Sequence, residues 1–258
     1  MLQSDTFAPA GLLANLVSLP LDYTKTHIQV HNTLPKPSIF LRYIGLEVVL
    51  FKYLIFYNLR QCFQKLIPED NKSLLLFSSS LSYFLLTPFD HILVKLQTKN
   101  LQTNKLSNIM NTSIFIVKKY GISGFFLGGL PNTLKCCAFG AASMNFDTTL
   151  YPYHVILWKY FLIMATMIPA VVFSHPFDVV KTHMQKNVLN VDGNQKDFEM
   201  NKIGREAGRE YTRFSECCVD LYKKYGMKVF YRGIYHAYAR AIFIVAAPVT
   251  AFEIYHPY

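Results

Sequence analysis

One ten-residue element occurs three times in this chain, and it constrains the fold more than any other feature. The copies are Pro20-Leu21-Asp22-Tyr23-Thr24-Lys25-Thr26-His27-Ile28-Gln29, Pro88-Phe89-Asp90-His91-Ile92-Leu93-Val94-Lys95-Leu96-Gln97 and Pro176-Phe177-Asp178-Val179-Val180-Lys181-Thr182-His183-Met184-Gln185. Each has Asp two residues after the Pro, a basic or imidazole side chain seven after it, and Gln nine after it. Each closes an apolar run, namely Leu12–Leu19, Leu74–Leu86 and Tyr160–Phe173. A single such string is noise, whereas three with the same distal Gln define a repeat architecture. Proline lacks an N–H and crowds the preceding turn, so a helix running through it is expected to kink at Pro20, Pro88 and Pro176. Asp and Lys three residues apart then project from nearly one face. Three kinked helices of this kind bring three acid–base sets around one axis.

The surroundings of these elements are those of a membrane protein. Of the 258 residues, 52% are apolar and only 16% charged, too few charges for an ordinary soluble domain. Six apolar stretches lie at about 7–21, 39–60, 74–94, 130–150, 155–177 and 234–255. Several approach the roughly 20 residues that cross a bilayer core. They are interrupted by Asn15, Arg42, Glu47, Lys52, Lys135, Lys159 and Arg240, as expected of helices with one face to lipid and one to water. The net charge of +10 is concentrated after the Pro-x-Asp elements, in 95–119 and 181–232, so these segments take the positive-inside side. Aromatic residues sit in the apolar spans and not on a basic face, which argues against nucleic acid as a partner. The five cysteines (Cys62, Cys136, Cys137, Cys217 and Cys218) form no C-x-x-C, and the histidines have no ligand spacing, so no metal site is expected. The chain has no nucleophile elbow, P-loop or paired catalytic carboxylates and does not read as an enzyme. No Arg/Ser-rich leader precedes the first apolar run.

The triplicated element resembles P-x-[DE]-x-x-[KR]-x-[KR] of the mitochondrial carrier family. Tyr231-Arg232-Gly233 matches that family's aromatic-[KR]-Gly in full, and Phe126-Leu127-Gly128-Gly129 matches it with Leu127 in the basic position. Phe146-Asp147-Thr148-Thr149-Leu150 and Phe252-Glu253-Ile254-Tyr255-His256 resemble its second charged motif, [FY]-[DE]-x-x-[KR]. The resemblance implies an all-α membrane protein with six transmembrane helices in three pseudo-symmetric two-helix repeats, at 1–70, 71–152 and 153–258, multi-pass in the mitochondrial inner membrane. Short matrix helices are expected in repeats two (Ser107–Tyr120) and three (Phe214–Tyr225) only. In repeat one, only the seven-residue segment 31–37 stands between the repeat element and the next apolar span, and neither the acidic-Gly nor the aromatic-[KR]-Gly motif is found there.

The resemblance also implies roles for residues. A matrix-side gate would draw on Asp22, Lys25, Asp90, Lys95, Asp178 and Lys181, pairing Asp90 with Lys181 and Asp178 with Lys25. Leu93 occupies the place of the base due to Asp22, which would then turn to Lys95 or His27. Gln29, Gln97 and Gln185 would brace these pairs. Counting about 13 residues back from the even-helix acids reaches Gly45-Leu46, Leu134-Lys135 and Arg240-Ala241, so Arg42, Lys135 and Arg240 are candidates for contact with an anionic metabolite. The same three bases are equally consistent with structural pairing to Glu47 or to backbone carbonyls. On the intermembrane side, Asp147, Glu253 and His256 are remnants of a second gate, with Tyr57-Asn58…Gln61 in the equivalent place of repeat one. Gly128, Gly129, Tyr231, Arg232 and Gly233 are candidates for binding cardiolipin at helix N-termini.

Two functions remain open on this basis. One is a degenerate carrier that serves as a structural or accessory subunit of a larger inner-membrane assembly, with a respiratory-chain complex as host and neighbouring subunits as partners. The polar loop 187–212 would be its assembly element. The other is an active carrier that exchanges an anionic metabolite.

Overall fold

The computed structural model describes residues 3–35, 43–66, 72–98, 109–144, 156–186, 211 and 213–255. Its regular elements are helical: α1 (Gln3–His31), α2 (Leu46–Leu66), α3 (Lys72–Leu85), α4 (Thr87–Gln97), α5 (Ile109–Tyr120), α6 (Gly129–Met144), α7 (Ile156–Gln185), α8 (Phe214–Tyr225) and α9 (Ile234–Tyr255). Short 3-10 turns at Ile122–Phe126 and Met227–Tyr231 lead into α6 and α9. Among the described residues, one helix, over Tyr160–Gln185, is long and apolar enough by itself to cross a membrane.

The three repeat elements differ at their prolines. Helices α1 and α7 run unbroken past Pro20 and Pro176, whereas the chain breaks between α3 and α4, immediately before Pro88. Leu86 caps the break at φ −87°, ψ 0°, and Pro88 falls in the first turn of α4, where its missing N–H leaves no bond unmade. The expected interruption therefore becomes a change of helix only in the second repeat.

The helices close into a ring. Neighbouring contacts run α1–α2, α2 with α3 and α4, α3–α6, α6–α7, α7–α9 and α9 back to α1, with α1–α9 and α6–α7 packed along much of their length. The distribution of polarity is inverted relative to a water-soluble bundle. Asp22, Lys25, Gln29, Asp90, Asp178 and Lys181 are buried inside, while Leu13, Val17, Phe51, Leu54, Phe77, Phe161, Ile168 and Phe173 stand exposed on the outside. Water would reverse this arrangement, because an extended apolar surface and a buried charge are both costly there. Lipid around the ring satisfies it.

Each even-numbered helix of the ring (α2, α6 and α9) starts in the same way. Tyr43-Ile44-Gly45, Phe126-Leu127-Gly128 and Tyr231-Arg232-Gly233 end on glycines with φ of +86°, +78° and +79°. The carbonyl of each accepts the first helical bond, from Val49, Asn132 and Ala237, at 3.1 Å in every case. A side chain is disfavoured at this φ, and the space is also taken: a Cβ on Gly128 would lie 3.0 Å from Gln185 Nε2, and one on Gly45 would collide with Leu93. Repeat one thus keeps the aromatic-x-Gly turn that was expected to be missing. Residues 36–42, which precede it, lie outside the described set, as does most of the 187–212 loop.

Candidate functional site

The three aspartates of the repeat element converge, and each is held by cations from more than one helix. Asp178 of α7 lies 2.9 Å from Lys25 of α1 and 2.5 Å from Lys135 of α6. Asp90 of α4 lies 2.8 Å from Lys181 of α7 and 2.5 Å from Lys52 of α2, and it accepts a bond from Asn132 of α6 at 3.1 Å. Asp22 of α1 lies 3.2 Å from Lys25 on its own helix and 3.3 Å from Arg240 of α9. The carboxylates, Lys25 and Lys181 are each less than a tenth exposed. Isolated charges so placed would be prohibitive, so the site exists only because each acid is met from two directions.

The partners of Asp22 differ from those expected. Lys95 is not part of the cluster: it is 2% exposed and its ammonium lies 5.5 and 5.4 Å from the ring centres of Phe115 and Tyr120 of α5. The reason is angular. Lys25 and Lys181 follow their aspartates by three residues, about 60° around the helix, whereas Lys95 follows Asp90 by five, about 140° away. His27 is equally absent, its Nδ1 lying 2.9 Å from the Thr33 carbonyl. Arg240 from the last helix fills the position.

Leu93, where the third base would stand, belongs to an apolar cluster with Leu19 of α1, Val48 and Val49 of α2, and Ile92, Leu96 and Ile116. Packing replaces charge along this seam. Two of the glutamines, Gln29 and Gln97, register the same asymmetry. All three are buried, as expected of residues near the axis. Gln29 donates to Asp178 at 3.2 Å, accepts from Thr182 at 2.8 Å, and so braces the Lys25–Asp178 pair. Gln97, on the helix of Leu93, has no pair beneath it to brace, and neither polar atom of its amide has a partner. Gln185 donates instead to the Leu127 carbonyl at 2.9 Å. Only one of the three expected braces is therefore made.

The bases of the even helices follow one rule that sequence counting missed. Lys52, Lys135 and Arg240 each stand seven residues, two turns, after the turn glycine of their helix. Their side chains are 23–25% exposed, unlike the buried Lys25 and Lys181. Lys52 takes the place proposed for Arg42, which lies outside the described residues, and Gly45-Leu46 is the helix start and not its middle. The same shift moves the end of α2: Phe63-Gln64 and not Tyr57-Asn58 is equivalent to Phe146-Asp147, and Gln61 donates within the helix to the Tyr57 hydroxyl at 2.8 Å. Asp147, His256 and the side chain of Glu253 fall outside the described residues. The signal that finds Lys52 is the spacing from the turn glycine, which is independent of the degenerate motif at the other end.

The candidate lipid residues cluster at the helix starts. Gly128 and Gly129 are buried and line a cleft of about 410 Å³ with Leu127, Pro131, Met184 and Phe214. Arg232 stacks on Tyr225 at 4.8 Å, and its carbonyl lies 2.9 Å from His175 Nε2. His91 and His183 likewise lie 2.9 and 3.0 Å from the carbonyls of Gly124 and Gln29. These imidazoles hold backbone in place, and among the described residues no group of His, Cys, Asp or Glu is arranged to hold a metal ion.

Comparison with known proteins agrees with this geometry. The family model described as mitochondrial carrier protein matches residues 76–151 and 157–258, more than half of the chain. Among curated proteins there is no significant match. A ring of helices carrying the repeated Pro-x-Asp element, its aspartates drawn together on bases from neighbouring helices, thus coincides with a match across the second and third repeats, and the chain belongs to the mitochondrial carrier family, whose members are transporters and not enzymes, as a multi-pass protein of the mitochondrial inner membrane.

Proposed function

We propose that this protein is a six-span carrier that exchanges a small anionic solute, with the aspartate cluster closing its matrix side. The observation that carries this reading is the unequal exposure of the five bases. Lys25 and Lys181 are buried in the helix-to-helix pairs, whereas Lys52, Lys135 and Arg240 retain about a quarter of their surface one layer further along the bundle. Cations presented to water at mid-bundle attract carboxylate or phosphate groups. A solute that engages them competes with the aspartates for the same ammonium groups and so loosens the closed state, the differential interaction any such transition requires. In this reading the cleft at Gly128 and Gly129 takes a cardiolipin phosphate on the first N–H groups of α6.

A second reading, a structural subunit of an inner-membrane complex, is favoured by Leu93 and by the stranded amide of Gln97, which mark one third of the ionic layer as lost. The two readings separate in proteoliposomes. Purified protein loaded against an internal anion is expected to give saturable counter-exchange. Absence of flux, with the native protein migrating on gels only within a larger assembly, would replace the carrier by the subunit.

A further inference from the structure

The charges of the central cluster do not cancel. Among the described residues, three carboxylates, Asp22, Asp90 and Asp178, face five cations, Lys25, Lys181, Lys52, Lys135 and Arg240, a surplus of two. Among the described residues, the other polar groups around it carry no opposite charge: Asn132 and Gln29 are amides, Thr182 is a hydroxyl, and the Tyr83 ring lies 5.7 Å from Lys52. His175 is spent on the Arg232 carbonyl. Glu253 is 13 residues from Arg240 on the same helix, about 20 Å along its axis.

The surplus has a defined origin. With a base at position 93, the aspartate layer would be neutral in itself and three mid-bundle cations would be left for solute. Leu93 removes one base, and Asp22 takes Arg240 in compensation. That leaves Lys52 and Lys135, which stand on different helices and hold different aspartates, Asp90 and Asp178. Two separate cations, each sharing its aspartate with a buried lysine, are met best by two separate anionic groups, since an unbalanced charge away from bulk water is costly.

Building on the carrier reading, we propose that the solute is a small dicarboxylate dianion bridging Lys52 of α2 and Lys135 of α6, and that Leu93 sets this valence by diverting Arg240 to Asp22. The test is counter-exchange in proteoliposomes near neutral pH with acetate, malonate, tricarballylate and sulfate, for the intact chain and two variants. The intact protein is expected to exchange malonate about tenfold faster than the other three, a preference equal to about 1.4 kcal/mol. Asp22→Asn raises the surplus to three and is expected to move the preference to tricarballylate. Lys135→Gln lowers it to one and is expected to move the preference to acetate, which keeps the proposal testable if the first variant does not fold. Exchange that favours acetate in the intact protein, or a preference unmoved by either variant, overturns the proposal and leaves the carrier reading standing. Sulfate equal to malonate overturns the bridging of two helices. No exchange of any anion overturns the carrier reading and the proposal with it.

Discussion

Replacing Asp178 by Asn is expected to cost about 3–5 kcal/mol of stability, because it removes a buried carboxylate that cations from two other helices share. Asp178 is 4% exposed and, like Asp90, is shared between two lysines and a side-chain amide. One oxygen meets Lys135 at 2.5 Å, and the other meets Lys25 at 2.9 Å and the Gln29 amide at 3.2 Å. The variant retains the volume but loses the charge, and its amide N–H groups cannot accept from an ammonium. Lys25 keeps Asp22 at 3.2 Å, whereas Lys135 keeps no carboxylate among the described residues. Unfolding can be followed through Cys217, which is 0% exposed and whose thiol burial pushes up to about 12, so that it stays protonated and unreactive until α8 opens. In a background with Cys62, Cys136, Cys137 and Cys218 replaced by Ala, which removes the exposed and partly exposed thiols, a maleimide dye is expected to report a large drop in the unfolding midpoint of the Asp178 variant. A midpoint within a degree or so of the parent would mean that the cluster carries no such load.

A second large effect is expected where charge is missing. Leu93→Ala removes a buried side chain that packs against Gly45 and, with Val48, Val49 and Leu96, joins α4 to the start of α2. The expected cost is about 2–5 kcal/mol, the range for opening a cavity in a packed core. Gly45 cannot grow to fill the space, since its φ of +86° disfavours any side chain. Salt is the discriminating variable: the loss from Leu93→Ala should not change with ionic strength, because it involves apolar contact only. A marginal loss would place the coherence of this seam elsewhere.

How much of this was legible in the chain depended on where the register could be anchored. The triplicated element gave the three aspartates and the bases three residues after two of them, because such offsets are fixed by the helix itself, whereas the Lys25–Asp178 and Lys181–Asp90 partners and the gap at Leu93 were implied by the family resemblance. Lys95 misled, as its place in the string resembles a gate base while five residues of helical rotation carry it toward Phe115 and Tyr120. Lys52 was missed because repeat one has no acid at the far end of α2 from which to count back. Its Tyr43-Ile44-Gly45 turn, lacking a base at the middle position, was not recognised until the positive φ of Gly45 appeared beside those of Gly128 and Gly233. The partner of Asp22 was not legible at all. Arg240 lies 218 positions away and reaches Asp22 only because the ring closes α9 onto α1. The fate of Gln97 followed from the same asymmetry, since a brace needs a pair, and the absence of the pair at Leu93 was visible while its consequence for Gln97 was not; Gln185 turns to the Leu127 carbonyl although the Lys181–Asp90 pair is made, which the missing base does not explain.

The claim on which the account rests is that pairs between different helices, and not incidental proximity, hold the aspartate layer together. A double-mutant cycle on Asp90 and Lys181 tests it most directly, because these residues lie 2.8 Å apart on α4 and α7, which the chain joins only through α5 and α6. Unfolding midpoints of Asp90→Asn, Lys181→Met and the double variant, followed through Cys217, give the coupling free of each residue's other contacts. The account predicts that the double variant is less destabilised than the two single losses combined, by about 1–3 kcal/mol. Additivity to within about 0.5 kcal/mol would contradict it.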